Sequence, residues 1–369
     1  MGFKNFDVID MDTIDLSNLN RQFLFRETDI GKPKAVVAQQ AIQERFPDIN
    51  VTSHYCAVQE IENPTQFYRN FDCIIAGLDS IQARRWMNSM VQSLIEFDEQ
   101  GKPDPSTQIP LIDGGTEGFK GHCRLIIPGE TGCIDCTLDL YPPQTTFPMC
   151  TIANTPRLPE HCIEWAKRVA WHEQFPETSP DGDDEEHIAW LTLQAKKRAE
   201  QFNIKGVNYR LTKGVVKNII PAVASTNAVI AALCVNECFK LVTYCLKSMK
   251  DSEDGNNYMM FNQNEGVYSY TFNVERNENC LVCGRKESTE EFTTDGEKSL
   301  EDMLELFKNK FLLKDANFST LCGKMIFFEN IESCQSLLKQ KVSSIFSANQ
   351  VVSITTSSLS KPFSVKLKF

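Results

Sequence analysis

The 369 residues are 41% hydrophobic with a formal net charge of -11 and a pI near 5.1, enough apolar content for two or three domains and too much for a disordered chain. The acidic balance excludes nonspecific nucleic-acid binding, which needs clustered Lys and Arg to displace counterions from phosphates, and suits basic protein partners. Fourteen cysteines would fit a disulfide scaffold, but residues 1–12 lack an apolar leader core, so reduced thiols and a cytoplasmic or nuclear setting are expected.

In chain order, residues 6–11 (FDVIDM) predict a strand ending in carboxylates, 15–20 a turn, 34–45 a helix, 50–56 a strand and 71–76 (FDCIIA) a buried strand. Strands alternating with helices predict a parallel α/β sheet, continued by residues 109–113 and 123–127 on either side of the glycine-rich 114–121. Pro142, Pro143 and Pro148 then break the pattern, and helical stretches at 160–171 and 187–203 predict an inserted helical domain. The acidic run 177–186 between them predicts a solvated loop.

An apolar helical segment follows at 215–244. Its most apolar part, 228–242, is interrupted by Asn236, Glu237 and Lys240 and is short for a bilayer, so a core helix is expected and no membrane partner. Residues 258–274 predict a hairpin turning at 264–266, and 284–298 a polar linker. A helix at 299–310 and strands at 324–328 and 362–369 predict a compact α+β module. The expected division is 1–140 and 213–284 for the α/β domain, 141–212 for the insertion and 285–369 for the terminal module.

Cys133-x-x-Cys136 and Cys280-x-x-Cys283 together supply four thiolates, the number that closes a tetrahedral structural zinc site and leaves no open position for a catalytic water. The competing reading is buried thiols or a redox CxxC. Asp10 ends a strand, where dinucleotide folds place the carboxylate that binds a ribose hydroxyl. Arg21 and Lys34 can approach phosphate oxygens, and Asp79, after the 71–76 strand, suits magnesium as a hard carboxylate donor. Each alone has a plain reading as a surface charge; their order at the carboxyl ends of strands points to a nucleotide. An NAD enzyme using Asp10 is disfavoured by the phosphate-seeking Arg21 and Lys34.

The string Asp10-Met11-Asp12-Thr13-Ile14-Asp15-Leu16-Ser17-Asn18-Leu19-Asn20-Arg21-Gln22-Phe23, with Gly77-Leu78-Asp79 and Ala83-Arg84, resembles the signature of the ubiquitin-like-protein activating enzymes. The resemblance implies a Rossmann-like ThiF adenylation domain with an inserted helical catalytic-cysteine domain and a C-terminal ubiquitin-like α+β domain. It implies ATP, magnesium and structural zinc as cofactors, with Asp10 on the ribose, Asn18, Arg21 and Lys34 on phosphates and Asp79 on the metal. In that family a strand and a G-x-G-x-x-G loop precede the DMD strand, and residues 1–9 have no room for them. The expectation is a shortened chain, or else a subunit with weakened ATP binding that serves as a scaffold.

Cys150, in Phe147-Pro148-Met149-Cys150-Thr151, lies where the sheet pattern yields to the insertion. By the resemblance it is the nucleophile that carries a ubiquitin-like modifier as a thioester, while Cys162 in His161-Cys162-Ile163-Glu164-Trp165-Ala166 is structural. Residues 111–121, 156–161 and 219–228 are more similar to the neddylation branch than to the SUMO or ubiquitin branches. That branch implies a pseudo-symmetric regulatory subunit in a heterodimer, a conjugating enzyme recruited by the terminal module, and Arg124 as a selectivity residue repelling an arginine near the modifier's tail. A sulfur-carrier adenylyltransferase shares the DMD, Arg and CxxC elements but is disfavoured by Cys150, its helical insertion and the terminal module.

Overall fold

The computed structural model describes residues 2–140, 156–176, 178–182, 184–216, 222–244, 255–284 and 289–369. They form two units, Met1–Leu138 with Val223–Phe369, and Asp139–Ala222. The larger unit opens with β1 (Asn5–Ile9) and β2 (Asn50–His54), a parallel pair joined through α1 (Lys34–Arg45). After α2 (Pro64–Tyr68), strand β3 (Ile74–Ala76) leads into α3 (Ile81–Ser93) and then β4 (Leu111–Glu117), parallel to β3.

From β4 onward the expected parallel sheet is not what forms. Strands β5 (Lys120–Ile126), β6 (Tyr258–Asn262) and β7 (Tyr268–Phe272) each pair antiparallel with the strand before, starting from β4. The glycine-rich stretch expected as a loop lies mostly inside β4 and β5, which meet at the Glu117–Lys120 pair across a two-residue turn. Gly118 makes that turn possible: its φ of +57° is costly for any residue with a Cβ. The 258–274 hairpin forms as expected.

Helix α8 (Ala224–Thr243) lies on this sheet; numbering the helices of the smaller unit α4 (Pro159–Trp165), α5 (Trp171–Gln174), α6 (Glu185–Gln201) and α7 (Tyr209–Val216) leaves it next in order. Its Ile230, Cys234 and Cys238 pack on Ile112, Cys123, Leu125 and Phe261. At 20 residues α8 is longer than the apolar stretch suggested, and by length and composition it could cross a bilayer; here one face is used on the sheet, where a Glu237–Lys240 ion pair also sits. The single helical segment expected at 215–244 is thus two helices in different units.

In the smaller unit a π-helical stretch (Ala166–Ala170) connects α4 to α5. Cys162, Ile163, Trp171, Ile188, Leu191 and Val216 share its core. Because Val216 belongs to that core, the insertion extends past the expected boundary at 212. The acidic run is more than a solvated loop: Asp184 accepts from the backbone N–H of Glu186 and His187, capping α6, and Glu185 and Glu186 lie in its first turn, where carboxylates complement the helix dipole.

The C-terminal module holds β8 (Glu290–Thr293), α9 (Leu300–Phe311), β9 (Asn317–Thr320), β10 (Met325–Phe327), α10 (Glu332–Gln335), α11 (Val342–Ile345), β11 (Val351–Thr355) and β12 (Phe363–Lys368). Its sheet order is β10-β9-β11-β12-β8, with β12 and β8 parallel and the rest antiparallel. The stretch expected as a linker therefore contains a strand. Ser299 caps α9 by accepting from Asp302 N–H, and α9 buries Leu300, Met303, Leu304 and Phe307 over the sheet.

Phe307 is fully buried and touches Phe292, Phe311 and Phe318 with ring centroids 4.7–5.2 Å apart. Phe307→Ala is expected to destabilise the module by about 3–5 kcal/mol, from lost transfer energy plus the cavity. Native-state hydrogen exchange across residues 300–311 reads this directly; unchanged protection there would contradict the assigned core.

Candidate functional site

Strands β1 and β3 both end where the expected nucleotide residues begin. Asp10 follows Ile9 directly, and its carboxylate accepts from the Asp12 N–H at 2.8 Å. Burial pushes the Asp10 carboxyl above its ordinary range, and the nearby charges of Asp12 and Asp79 push the same way, while the Asp12 N–H and Lys34 oppose them. Asp10, Lys34 and Asp79 therefore share one electrostatic neighbourhood, assembled from three segments. Asp79 sits just ahead of Ser80, whose hydroxyl accepts from Ala83 N–H at 3.1 Å and caps α3.

Lys34 starts α1 and donates through Nζ to Asp12 at 2.7 Å, while its backbone N–H donates to the Asp12 carbonyl at 2.9 Å. Asp12 is about half exposed, so this ion pair is worth at most about 1 kcal/mol and can yield to a phosphate. Asn18 and Arg21 are used within their own turn. The Asn18 carboxamide oxygen accepts from Asp15 N–H at 2.9 Å, and Arg21 donates to the Ser17 carbonyl at 2.9 Å and to Asn20 Oδ1 at 3.0 Å. The structure thus brings Asp10, Lys34 and Asp79 together, with Asn18 and Arg21 on the turn that follows Asp15.

Beneath Asp79 lies a network that motif reading did not assign. Arg84 donates to Asp113, to the Leu78 carbonyl and, at 3.0 Å, to the Gly114 carbonyl. Asp113 is fully buried and is also bound by His122 Nε2 at 3.1 Å, with the His122 ring stacked on Tyr258. Burial raises the Asp113 carboxyl, but the bonds to His122 and Arg84 outweigh it and hold the group below its ordinary range. Arg84 thereby fixes the carbonyl of the residue immediately before Asp79. The available signal was Asp113 closing the apolar run 109–112.

The Sγ atoms of Cys133, Cys136, Cys280 and Cys283 all lie within 4.8 Å of one another. The closest are Cys136–Cys283 at 3.3 Å and Cys133–Cys280 at 3.6 Å, which suits four thiolates around one tetrahedral ion. Two donors support the set: the Asn277 backbone N–H reaches Cys136 Sγ at 3.4 Å, and the Arg276 guanidinium donates to the Cys283 carbonyl. Gly132 lets the two limbs meet, since a Cβ there would come within 2.6 Å of the Glu275 carbonyl oxygen.

Arg124 is held in the interior of the larger unit. It is fully buried: its guanidinium donates to Thr137 Oγ1 at 2.8 Å and to the carbonyls of Gly132 and Cys133 at 2.9 and 2.7 Å, and it lies over the Tyr258 ring. The register of β5 on β6 pairs Arg124 with Tyr258, and the cysteine limb folds across it. These contacts make Arg124 a buried brace between β5 and the first CxxC. Cys162 is buried in the smaller unit, as a structural thiol should be, whereas Cys150 lies outside the described residues.

Residues 1–282 match the ThiF family. A Nedd8-activating enzyme E1 catalytic subunit of Drosophila melanogaster is 52% identical over 324 residues, covering 87% of this chain and 70% of its own length. The Caenorhabditis elegans NEDD8-activating enzyme E1 catalytic subunit is 50% identical, covering 88% and 74%. That of Schizosaccharomyces pombe is 39% identical, covering 100% and 85%. With a ThiF match over most of its length and relatives this similar across most of theirs, the chain belongs to the family of NEDD8-activating enzyme E1 catalytic subunits, within the ThiF family.

Proposed function

We propose that the chain activates the ubiquitin-like modifier NEDD8 at the expense of ATP, in one adenylyl transfer followed by two acyl transfers. The modifier's C-terminal carboxylate attacks the α-phosphorus of ATP, forming an acyl adenylate and releasing pyrophosphate. The Cys150 thiolate then attacks the acyl carbon, a thioester forms and AMP leaves. A conjugating-enzyme thiolate finally takes the acyl group, returning Cys150 as a thiolate.

The observation that carries this reading is the convergence of Asp10, Lys34 and Asp79 at the carboxyl ends of two strands. Asp10 accepts a ribose hydroxyl, and Lys34, exchanging Asp12 for phosphate oxygens, offsets the negative charge that grows at the α-phosphate. Asn18, through its amide nitrogen, and Arg21 add donors. Asp79 is the carboxylate that would hold magnesium, which supplies further charge neutralisation on the phosphates. Arg84 positions the Asp79 segment without touching substrate. The four clustered cysteines would hold structural zinc, a role their closed donor set fits. A regulatory partner subunit and recruitment of the conjugating enzyme by the C-terminal module complete the scheme.

With the partner subunit present, Cys150→Ala is expected to keep ATP–pyrophosphate exchange and abolish the modifier thioester on nonreducing gels; a surviving thioester sinks the nucleophile assignment. Lys34→Ala is expected to slow pyrophosphate exchange by about 10²-fold, the scale of losing one donor to a developing charge, and an unchanged rate would remove Lys34 from the site. Elemental analysis of the purified chain is expected to find one zinc per molecule, and Cys283→Ser to lose it together with thermal stability. Full metal occupancy in that variant would disprove the four-sulfur site.

A further inference from the structure

Arg85 is used by neither the nucleotide residues nor the sulfur cluster, yet it is 1% exposed. It follows Arg84 on α3, and consecutive helical side chains project about 100° apart, so the two guanidinium groups leave the helix in different directions. Arg84 turns to Asp113 and the Leu78 carbonyl. Arg85 Nε donates to Asp135 Oδ1 at 2.8 Å, and its Nη1 donates to the carbonyl of Phe311 at 3.1 Å and to that of Leu312.

Both ends of this contact have structural meaning. Asp135 lies within Cys133-x-x-Cys136, and its second oxygen accepts from Asn88 Nδ2 at 3.0 Å, while Asn88 Oδ1 accepts from Ile134 N–H at 3.3 Å. Phe311 ends α9 and Leu312 follows it in the left-handed region with φ 51°, so their carbonyls are among those a helix terminus leaves without intrahelical partners. A cation is favoured there by the helix dipole. Neighbouring contacts are weaker and more exposed: Ser89 Oγ to Ser360 Oγ at 2.9 Å, and Lys361 Nζ to the Ser93 carbonyl at 3.2 Å.

We propose that Arg85 is a positioning residue that latches the C-terminal module to the metal-binding loop: the sulfur site fixes Asp135, Asp135 aims Arg85, and Arg85 holds the end of α9. A buried ion pair is a poor way to gain stability, since apolar residues of like volume do as well or better. What the pair adds is direction, because a planar guanidinium reaches the carboxylate and two helix-end carbonyls only in one arrangement. The consequence for transfer to the conjugating enzyme rests on the proposed recruiting role of the module; the latch itself does not.

The test uses the full chain with its partner subunit and two variants, Arg85→Met and the apolar pair Arg85→Met/Asp135→Leu, the second leaving no unpaired buried charge should the first fold poorly. Hydrogen exchange of residues 308–313 and 89–93 is expected to accelerate at least about tenfold in either variant, and equally in the unmodified chain stripped of metal by a chelator. Pyrophosphate exchange should stay within about twofold while thioester transfer to the conjugating enzyme falls about tenfold. Unchanged exchange at both segments in the folded variants overturns the latch, and unchanged exchange after chelation overturns its dependence on the metal. Accelerated exchange with normal transfer supports the latch and removes the recruiting role assigned to the module. Equal losses in pyrophosphate exchange and transfer would reduce Arg85 to general stability and overturn the positioning role.

Discussion

Four sulfurs meeting within 4.8 Å join segments whose cysteines, Cys133 and Cys280, stand 147 residues apart, and the whole helical unit lies in the chain between them. Closing so long a loop costs chain entropy, though the cost rises only with the logarithm of length. Thiol–thiol hydrogen bonds are weak compensation for burying four polar sulfurs, whereas thiolate coordination contributes folding free energy directly. The surroundings are built around that closure: Gly132 admits the close approach of the two limbs, Arg276 binds one carbonyl of the second limb, and Arg124 binds two of the first. Arg124 is buried for this reason, since a guanidinium is the side chain that can satisfy several converging carbonyls at once.

The nucleotide end is organised by a different balance. The charges of Asp12 and Asp79 both bear on Asp10, and Lys34, paired with Asp12, opposes them. Carboxylates gathered in this way favour a cation, and Lys34 is the one in place. Arg84 stays out of that balance because Asp113, itself held by His122, neutralises it below the surface.

Local signals identified local structure. Helix α1 runs over the predicted 34–45, the hairpin of β6 and β7 turns where Asn264–Gly266 breaks the apolar run, and the paired CxxC motifs converge as their spacing suggested. Strand direction was harder to read, because whether a pair is parallel depends on the connection between the strands and not on their own residues. The glycines of 114–121 carried that information: a single positive-φ turn at Gly118 makes an antiparallel hairpin, whereas a loop would have allowed a crossover. The strands β8, β9 and β11 were missed because they are four or five residues long and polar on one face. The contacts of Arg124 and Lys34 were not legible in the sequence for a shared reason. The sequence identifies a charge, but its partners, Thr137 and two carbonyls for one, Asp12 for the other, are set by tertiary register.

The adjacency of Arg84 and Arg85 on α3 shows why such register matters. One residue of helix separates a guanidinium that fixes the Leu78 carbonyl, next to Asp79, from one that binds the metal-loop carboxylate and the end of α9. Both are nearly fully buried, so neither can change partners without exposing or stranding a charge. A rotation of α3 about its axis would therefore disturb the Asp79 segment and the docking of the C-terminal module together. Asn88 on the Asp135 loop and Gln92 on the Gly129 N–H resist that rotation along the helix length. Helix α3 thus links the Asp79 segment to the C-terminal module through polar contacts at fixed bearings, beside the apolar face it buries.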